Sequence, residues 1–152
     1  MEIREVRASD VPAVIELVAA TLAEFGLSFG VGAPTDDQLQ HLPASYADHG
    51  GAFWVAIDGD KLVGTAGVFP VTADAFELRK MYLLPSTRGT GLGKRLLDTA
   101  IAFSRQHGAR LLVLDTVEAM ARAIAFYERH GFVRDDTQRR GSRCSRGYAL
   151  AL

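Results

Sequence analysis

A single cysteine, Cys144, in 152 residues excludes an internal disulfide and any cysteine-rich zinc site. No apolar run approaches the roughly 20 residues that a membrane helix needs. The opening stretch, Met1 to Asp10, alternates charged and apolar residues and holds no secretory apolar core. A reducing cytoplasm away from the membrane is the expected home. The formal net charge is only −1, and no aromatics interleave with the arginines, so nucleic-acid binding is not expected. His41, His49, His107 and His130 show no ligand spacing, and no metal is expected. Repeats, linkers and low-complexity stretches are missing too. What remains is an ordinary globular composition, 48% hydrophobic and 23% charged. The expectation is one domain over residues 1–152, burying about two-thirds of its unfolded surface.

Charge is unevenly distributed along the chain. Residues 1–60 hold ten acids and two bases, whereas residues 61–152 hold eight acids and fifteen bases. A basic half suits an anionic ligand and an acidic half a cationic one; solvated faces that happen to segregate are the alternative.

Periodicity outlines the elements. Glu2–Arg7 alternates as a short strand. Ser9 is placed to cap a helix with Pro12 in its first turn, and Val11, Val14, Val18, Leu22 and Phe25 form its apolar stripe. Gly26 to Pro34 reads as a glycine-rich apolar loop. Thr35 or Asp36 is placed to cap a second helix towards His49, kinked or divided by Pro43. Ala52–Ile57, Lys61–Pro70 and Ala75–Leu84 read as strands, the first two joined by a tight turn at Asp58-Gly59. Helices are expected over Gly91–His107 and Glu118–His130, the latter stopped by Gly131. Leu111–Leu114 is apolar enough for a buried parallel strand, and Phe132–Val133 and Ser145–Leu152 finish the sheet. The order predicts an α+β domain: one mostly antiparallel sheet of about seven strands flanked by helices.

The most informative stretch joins the third long strand to its helix through Gly89, Gly91 and Gly93, flanked by Arg88 and Lys94. Alternate glycines let backbone N–H groups converge, and the helix N-terminus adds its dipole, which suits phosphate oxygens. A P-loop fails here, because Arg88 and Arg95 stand where it needs Gly and Ser/Thr. The dinucleotide fingerprint is one residue short. A glycine-rich corner with no ligand is the plainer reading.

Arg88-Gly89-Thr90-Gly91-Leu92-Gly93 resembles the pyrophosphate loop of the GCN5-related N-acetyltransferases. Glu77-Leu78-Arg79-Lys80-Met81-Tyr82-Leu83-Leu84-Pro85 is similar to that family's central strand. Ala123-Ile124-Ala125-Phe126-Tyr127-Glu128-Arg129-His130-Gly131-Phe132 is similar to its A-I-x-x-Y-E-x-x-G-F helix end. The resemblance implies the acyl-CoA N-acyltransferase fold, with acetyl-CoA as co-substrate and direct acetyl transfer to an amine. Backbone groups of Met81, Tyr82 and Leu83 would pair with the pantetheine arm, and the Leu83 N–H would polarise the thioester carbonyl. Amides of Arg88, Gly89, Thr90, Gly91, Leu92, Gly93 and Lys94 would hold the pyrophosphate.

Such a transfer poses two proton problems. An alkylammonium, with a pKa near ~10.4, must lose a proton before attack. The departing thiolate benefits from receiving one. Glu77 is the candidate base, direct or through water, and an outward residue paired with Arg79 or Lys80 is its alternative. Tyr127 is the candidate acid, although Met120, Ala123, Ile124 and Tyr127 also read as a core stripe. Family members often carry asparagine seven residues before this tyrosine, where this chain has Met120. Water, backbone or plain packing must serve there.

The arginines Arg134, Arg139, Arg140, Arg143 and Arg146 suit an anionic substrate, the CoA 3′-phosphate or a solvated hairpin. Cys144 lacks an identifiable base for covalent catalysis. By resemblance, the acceptor meets the first two helices, their loop and the loop before the last strand. Here that region is apolar, with Glu24, Asp36, Asp37 and Asp48 around it, which suits a small amine with an apolar portion. A non-catalytic acyl-CoA-binding or sensing module is the alternative reading, and a nucleotide-phosphate enzyme a weaker third. Homodimers are frequent in the family, and nothing in the chain marks a dimer interface.

Overall fold

In the computed structural model, which describes residues 1–30, 34–141 and 144–152, seven strands form one sheet in the order β1-β2-β3-β4-β5-β7-β6. The strands are β1 (Glu2–Glu5), β2 (Ala52–Asp58), β3 (Lys61–Pro70), β4 (Ala75–Leu83), β5 (Leu111–Thr116), β6 (Val133–Arg134) and β7 (Arg146–Ala151). The helices are α1 (Val11–Glu24), α2 (Ala44–Ala47), α3 (Leu92–Gln106) and α4 (Ala121–Arg129). Every neighbouring pair is antiparallel except β4 and β5, which α3 joins as a parallel crossover.

Helices cover both faces, which explains why β2 reads as an unbroken apolar run. Trp54 and Ala56 face Leu92, Leu96, Leu97 and Ala100 of α3, while Phe53 and Val55 face Val14, Val18 and Leu22 of α1. The β2–β3 hairpin pairs Asp58 with Lys61, so Gly59-Asp60 make the two-residue turn, with Gly59 at φ 65°.

Three local expectations change. Ser9 does not cap α1: it lies in a short 3₁₀ turn, Ala8–Asp10, and Asp10 precedes the helix. The Asp10 carboxylate accepts from Arg7 N at 2.7 Å and pairs with Arg4 at 2.8 Å, so tertiary pairing claims the carboxylate at this junction. The expected second helix is a 3₁₀ segment, Pro34–His41, followed by α2, and Pro43 separates them. Asp36 does not cap it. Its carboxylate is fully buried, accepts from Gly30 N at 2.6 Å and ion-pairs with Lys80. The loop read over Gly26 to Pro34 falls partly on residues 31–33, which lie outside the described residues.

Candidate active site

β4 and β5 pair only over Ala75–Glu77 with Leu111–Val113, and then part. Beyond Glu77 no strand among the described residues lies against the β5-facing edge of β4. Two irregularities of β4 lie just beyond this point. The register with β3 slips between Thr65/Tyr82 and Gly67/Arg79, a bulge centred on Lys80. Lys80 sits at φ 54°, the one described non-glycine residue in the left-handed region. Thr65 Oγ1 donates to the Lys80 carbonyl at 2.7 Å, and the Lys80 ammonium is drawn to Asp36. Past the bulge, Leu84 N donates to Val63 O at 2.9 Å towards β3. Strand alternation therefore turns the Leu83 N–H to the opposite, open edge.

β4 runs through a 3₁₀ turn, Pro85–Thr87, into α3. Gly89 and Gly91 adopt φ 76° and 89°, a conformation that glycine alone enters freely. A Cβ at either would meet no non-neighbouring atom within 4 Å, so open space lies beside this turn. Gly91 supplies no side-chain cap, which leaves the first-turn amides of α3 for an external acceptor. Gly93 differs: it is buried, and a Cβ there would stand 3.4 Å from Leu83 and Phe126. It serves helix–strand packing.

Side chains near the turn are committed elsewhere. Arg88 clamps Glu24 at 2.9 and 3.0 Å and donates to Leu83 O at 3.1 Å. It is neither free over the glycines nor merely solvated. Lys94 pairs with Asp98 one turn along α3 at 2.7 Å. Any anion held here is met mainly by backbone N–H groups.

A cavity of about 290 Å³ opens where β4 and β5 separate. It brings together Glu77, Met81, Tyr82 and Tyr127, while the glycine turn lies outside its walls. Glu77 is 3% exposed and is bonded on one oxygen by Arg79 Nε, with Arg140 Nη1 3.5 Å from the other. The pairing expected with Arg79 is real, yet the residue faces inward. Arg79 lies 4.3 Å from the Phe69 ring centre and donates to Gln38 Oε1 at 3.1 Å. Tyr127 is 7% exposed, edge-on to Phe126 and Phe132. Burial, and secondarily the neighbouring Tyr82, push its hydroxyl pKa above the usual tyrosine range, so it keeps its proton at neutral pH. Core packing and cavity access coexist in this one side chain.

Met120 immediately precedes α4, buried against the α1 side of the core, with Thr116 Oγ1 3.8 Å from its sulfur. It packs. Among the arginines, Arg134 pairs with Asp136 and Arg146 with Glu118, Arg139 donates to Ser145 O, and Arg140 enters the cavity. Arg143 lies outside the described residues. Sequence reasoning missed Asp115: its carboxylate accepts from Arg140 N at 2.7 Å and Gly141 N at 2.8 Å, holding the β6–β7 loop over the cavity. Nothing local to β5 marks it, because its partners lie 25 and 26 residues away. Among the described residues no group of three or more His, Cys, Asp or Glu could hold a metal, and no helix is long and apolar enough to cross a membrane.

This geometry agrees with what the chain is similar to. A family model described as acetyltransferase (GNAT) family matches residues 18–132, most of the chain, and the protein belongs to that family. Over 133 residues it is 36% identical to the uncharacterized N-acetyltransferase YjgM of Escherichia coli (strain K12), covering 85% of this chain and 80% of that protein. It is 34% identical over 100 residues to human N-acetyltransferase 8B, covering 62% of this chain but only 44% of the human protein. A Staphylococcus aureus Mu50 acetyltransferase of the GNAT family superposes with a TM-score of 0.89 at 25% identity, over 99% of this chain and 98% of that one. The Thermoplasma acidophilum PaiA N-acetyltransferase, solved with coenzyme A, gives 0.80 at 18% identity over 99% and 98%, a likeness of fold.

Proposed function

We propose that residues 1–152 act as one acetyltransferase domain that moves the acetyl group of acetyl-CoA directly to a primary amine. The observation that carries this reading is the parting of β4 from β5 beyond Glu77. It leaves an edge of β4 with no strand against it among the described residues, leading from a cavity that holds a carboxylate and a protonated tyrosine.

Acetyl-CoA fits what is there. The amides from Gly89 to Lys94 hold the pyrophosphate at the uncapped start of α3; that of Arg88, expected to join them, instead donates to Pro85 O at 3.3 Å. The exposed edge formed by Met81, Tyr82 and Leu83 pairs with the pantetheine amides as an added strand would. The Leu83 N–H, turned to that edge, polarises the thioester carbonyl. Glu77 accepts the amine's proton, directly or through a water, as the nitrogen bonds to the carbonyl carbon. The carbon–sulfur bond breaks, and Tyr127 passes its proton to the departing thiolate. The solitary cysteine fits a reducing cytoplasm.

Calorimetric titration with acetyl-CoA, with ATP as control, tests the co-substrate without knowledge of the acceptor. Micromolar acetyl-CoA binding without comparable ATP binding, followed by amine-dependent thiol release, is the expected result. Binding with no thiol release from any amine would leave a non-catalytic acyl-CoA module; no binding would overturn the reading.

A further inference from the structure

We propose that the acceptor is an α-amino acid with an apolar side chain, and that Arg140 binds its carboxylate. This rests on the reading of Glu77 as the partner of the acceptor amine.

Glu77 and Arg140 form a stretched pair at 3.5 Å, beyond the usual range of a charge-assisted hydrogen bond. Glu77 does not depend on it, since Arg79 already bonds its other oxygen from the buried side. Arg140 does not depend on it either. Its backbone N–H is tied to Asp115, and Nη1 and Nη2 donate to Gln138 O at 2.8 Å and Gln138 Oε1 at 3.1 Å. A guanidinium has five N–H donors, and among the described residues Nε has no hydrogen-bond partner. The side chain is 36% exposed, whereas that of Glu77 is 4% exposed. The result is an anchored fork with spare donors beside a buried carboxylate.

That arrangement complements a zwitterion. An α-amino acid carries its nitrogen and its carboxylate on one carbon, so it can bridge the two groups from the cavity side. Its nitrogen meets the Glu77 oxygen, and its carboxylate meets the fork, each charge answered by its opposite. Leu22, Leu27, Val117 and Met120 line the same cavity and receive an apolar side chain. A peptide N-terminus would set a neutral carbonyl against Arg140. A polyamine would bring a second cation to a wall already carrying Arg79 and Arg140. Both fit less well.

The test compares leucine, methionine and phenylalanine with their carboxamides as acceptors, by thiol release, with acetyl-CoA binding measured separately by calorimetry. The acids should exceed their amides in kcat/KM by about 10- to 100-fold, the worth of hydrogen bonds to a charge. Amine basicity cannot produce this preference, because the amide's less basic amine is the freer nucleophile at neutral pH. In Arg140→Gln the acid-to-amide ratio should fall towards one. Arg140→Lys, a point charge without the fork, should restore part of it. Amides used as well as acids, or a ratio unchanged in Arg140→Gln, would overturn the proposal. So would acetyl-CoA binding with no acid acetylated, which leaves the transferase reading standing. No acetyl-CoA binding would remove both.

Discussion

The Lys80 ammonium and the Asp36 carboxylate meet in an ion pair 44 residues apart in sequence, with Lys80 8% and Asp36 0% exposed. The pair ties the 3₁₀ segment after α1 to the bulge of β4. It holds the one described non-glycine residue with a left-handed backbone beside the strand edge assigned to the thioester. Removing one partner takes this ion pair from a charge held in a low-dielectric site. Lys80→Met and Asp36→Asn should each cost about 3–5 kcal/mol in chemical denaturation. The double variant should cost clearly less than the sum, and additivity would mean that the two groups do not depend on each other.

Tyr127→Phe retains the ring that packs on Phe126 and Phe132 and removes only the hydroxyl. Turnover should fall about 10²-fold or more, the scale of a lost general acid, while the calorimetric affinity for acetyl-CoA changes little. Equal turnover would reduce Tyr127 to packing.

The raised hydroxyl pKa values of Tyr127 and Tyr46, both due first to burial, set an alkaline limit on stability. Below the ordinary tyrosine value near ~10, folded and unfolded chains hold these protons alike. Above it the unfolded chain releases them while the folded chain retains them, so stability is lost as pH rises. The slope is about 1.4 kcal/mol per pH unit for each tyrosine. Denaturation across pH 9 to 11 should show this loss, and Tyr46→Phe should make it shallower. Stability independent of pH over that span would contradict the burial of both hydroxyls.

Glu77→Gln removes the proposed proton acceptor while keeping its shape. The loss of rate should be greatest at low pH, where free amine is scarcest, and should shrink as pH approaches the amine pKa of about 10. A pH–rate profile parallel to that of the parent enzyme would dismiss Glu77 as the base.

Gly91→Ala places a Cβ in open space but at φ 89°. The penalty is backbone strain of roughly 1–2 kcal/mol, and relief of that strain turns the α3 amides away from their shared focus. Acetyl-CoA affinity should weaken about tenfold, consistent with that energy. Unchanged affinity would mean that the turn does not hold the pyrophosphate.

Much of the fold was legible because each element carried its own period or punctuation. Gly91, expected at the start of α3, immediately precedes it, Lys61–Pro70 forms β3 over the expected residues, and the apolar Leu111–Leu114 marks the parallel strand. The second helix departs from its expectation because 3₁₀ and α segments share apolar spacing over so few residues, while Asp36 answers to Lys80 across the domain. Arg140 stood among five arginines with nothing local to distinguish it. The uneven charge along the chain has a partial explanation in the fold: Glu24–Arg88 and Asp36–Lys80 join the acidic first part to the basic second part.

By itself, the sequence determined most of the strands and helices and where the glycine turn lies, and it singled out Glu77, Tyr127 and the 88–94 amides only as candidates. Those are local properties: apolar spacing, a φ that only glycine enters easily, a side chain's chemistry. Tertiary structure decided that Glu77 faces inward between two arginines, that Arg88 is spent on Glu24, and that Asp115 presents Arg140 to the cavity. Each of these depends on which distant residue arrives to answer a charge. Strand alternation cannot specify that, because a buried carboxylate is permitted on either face until its partner is in place.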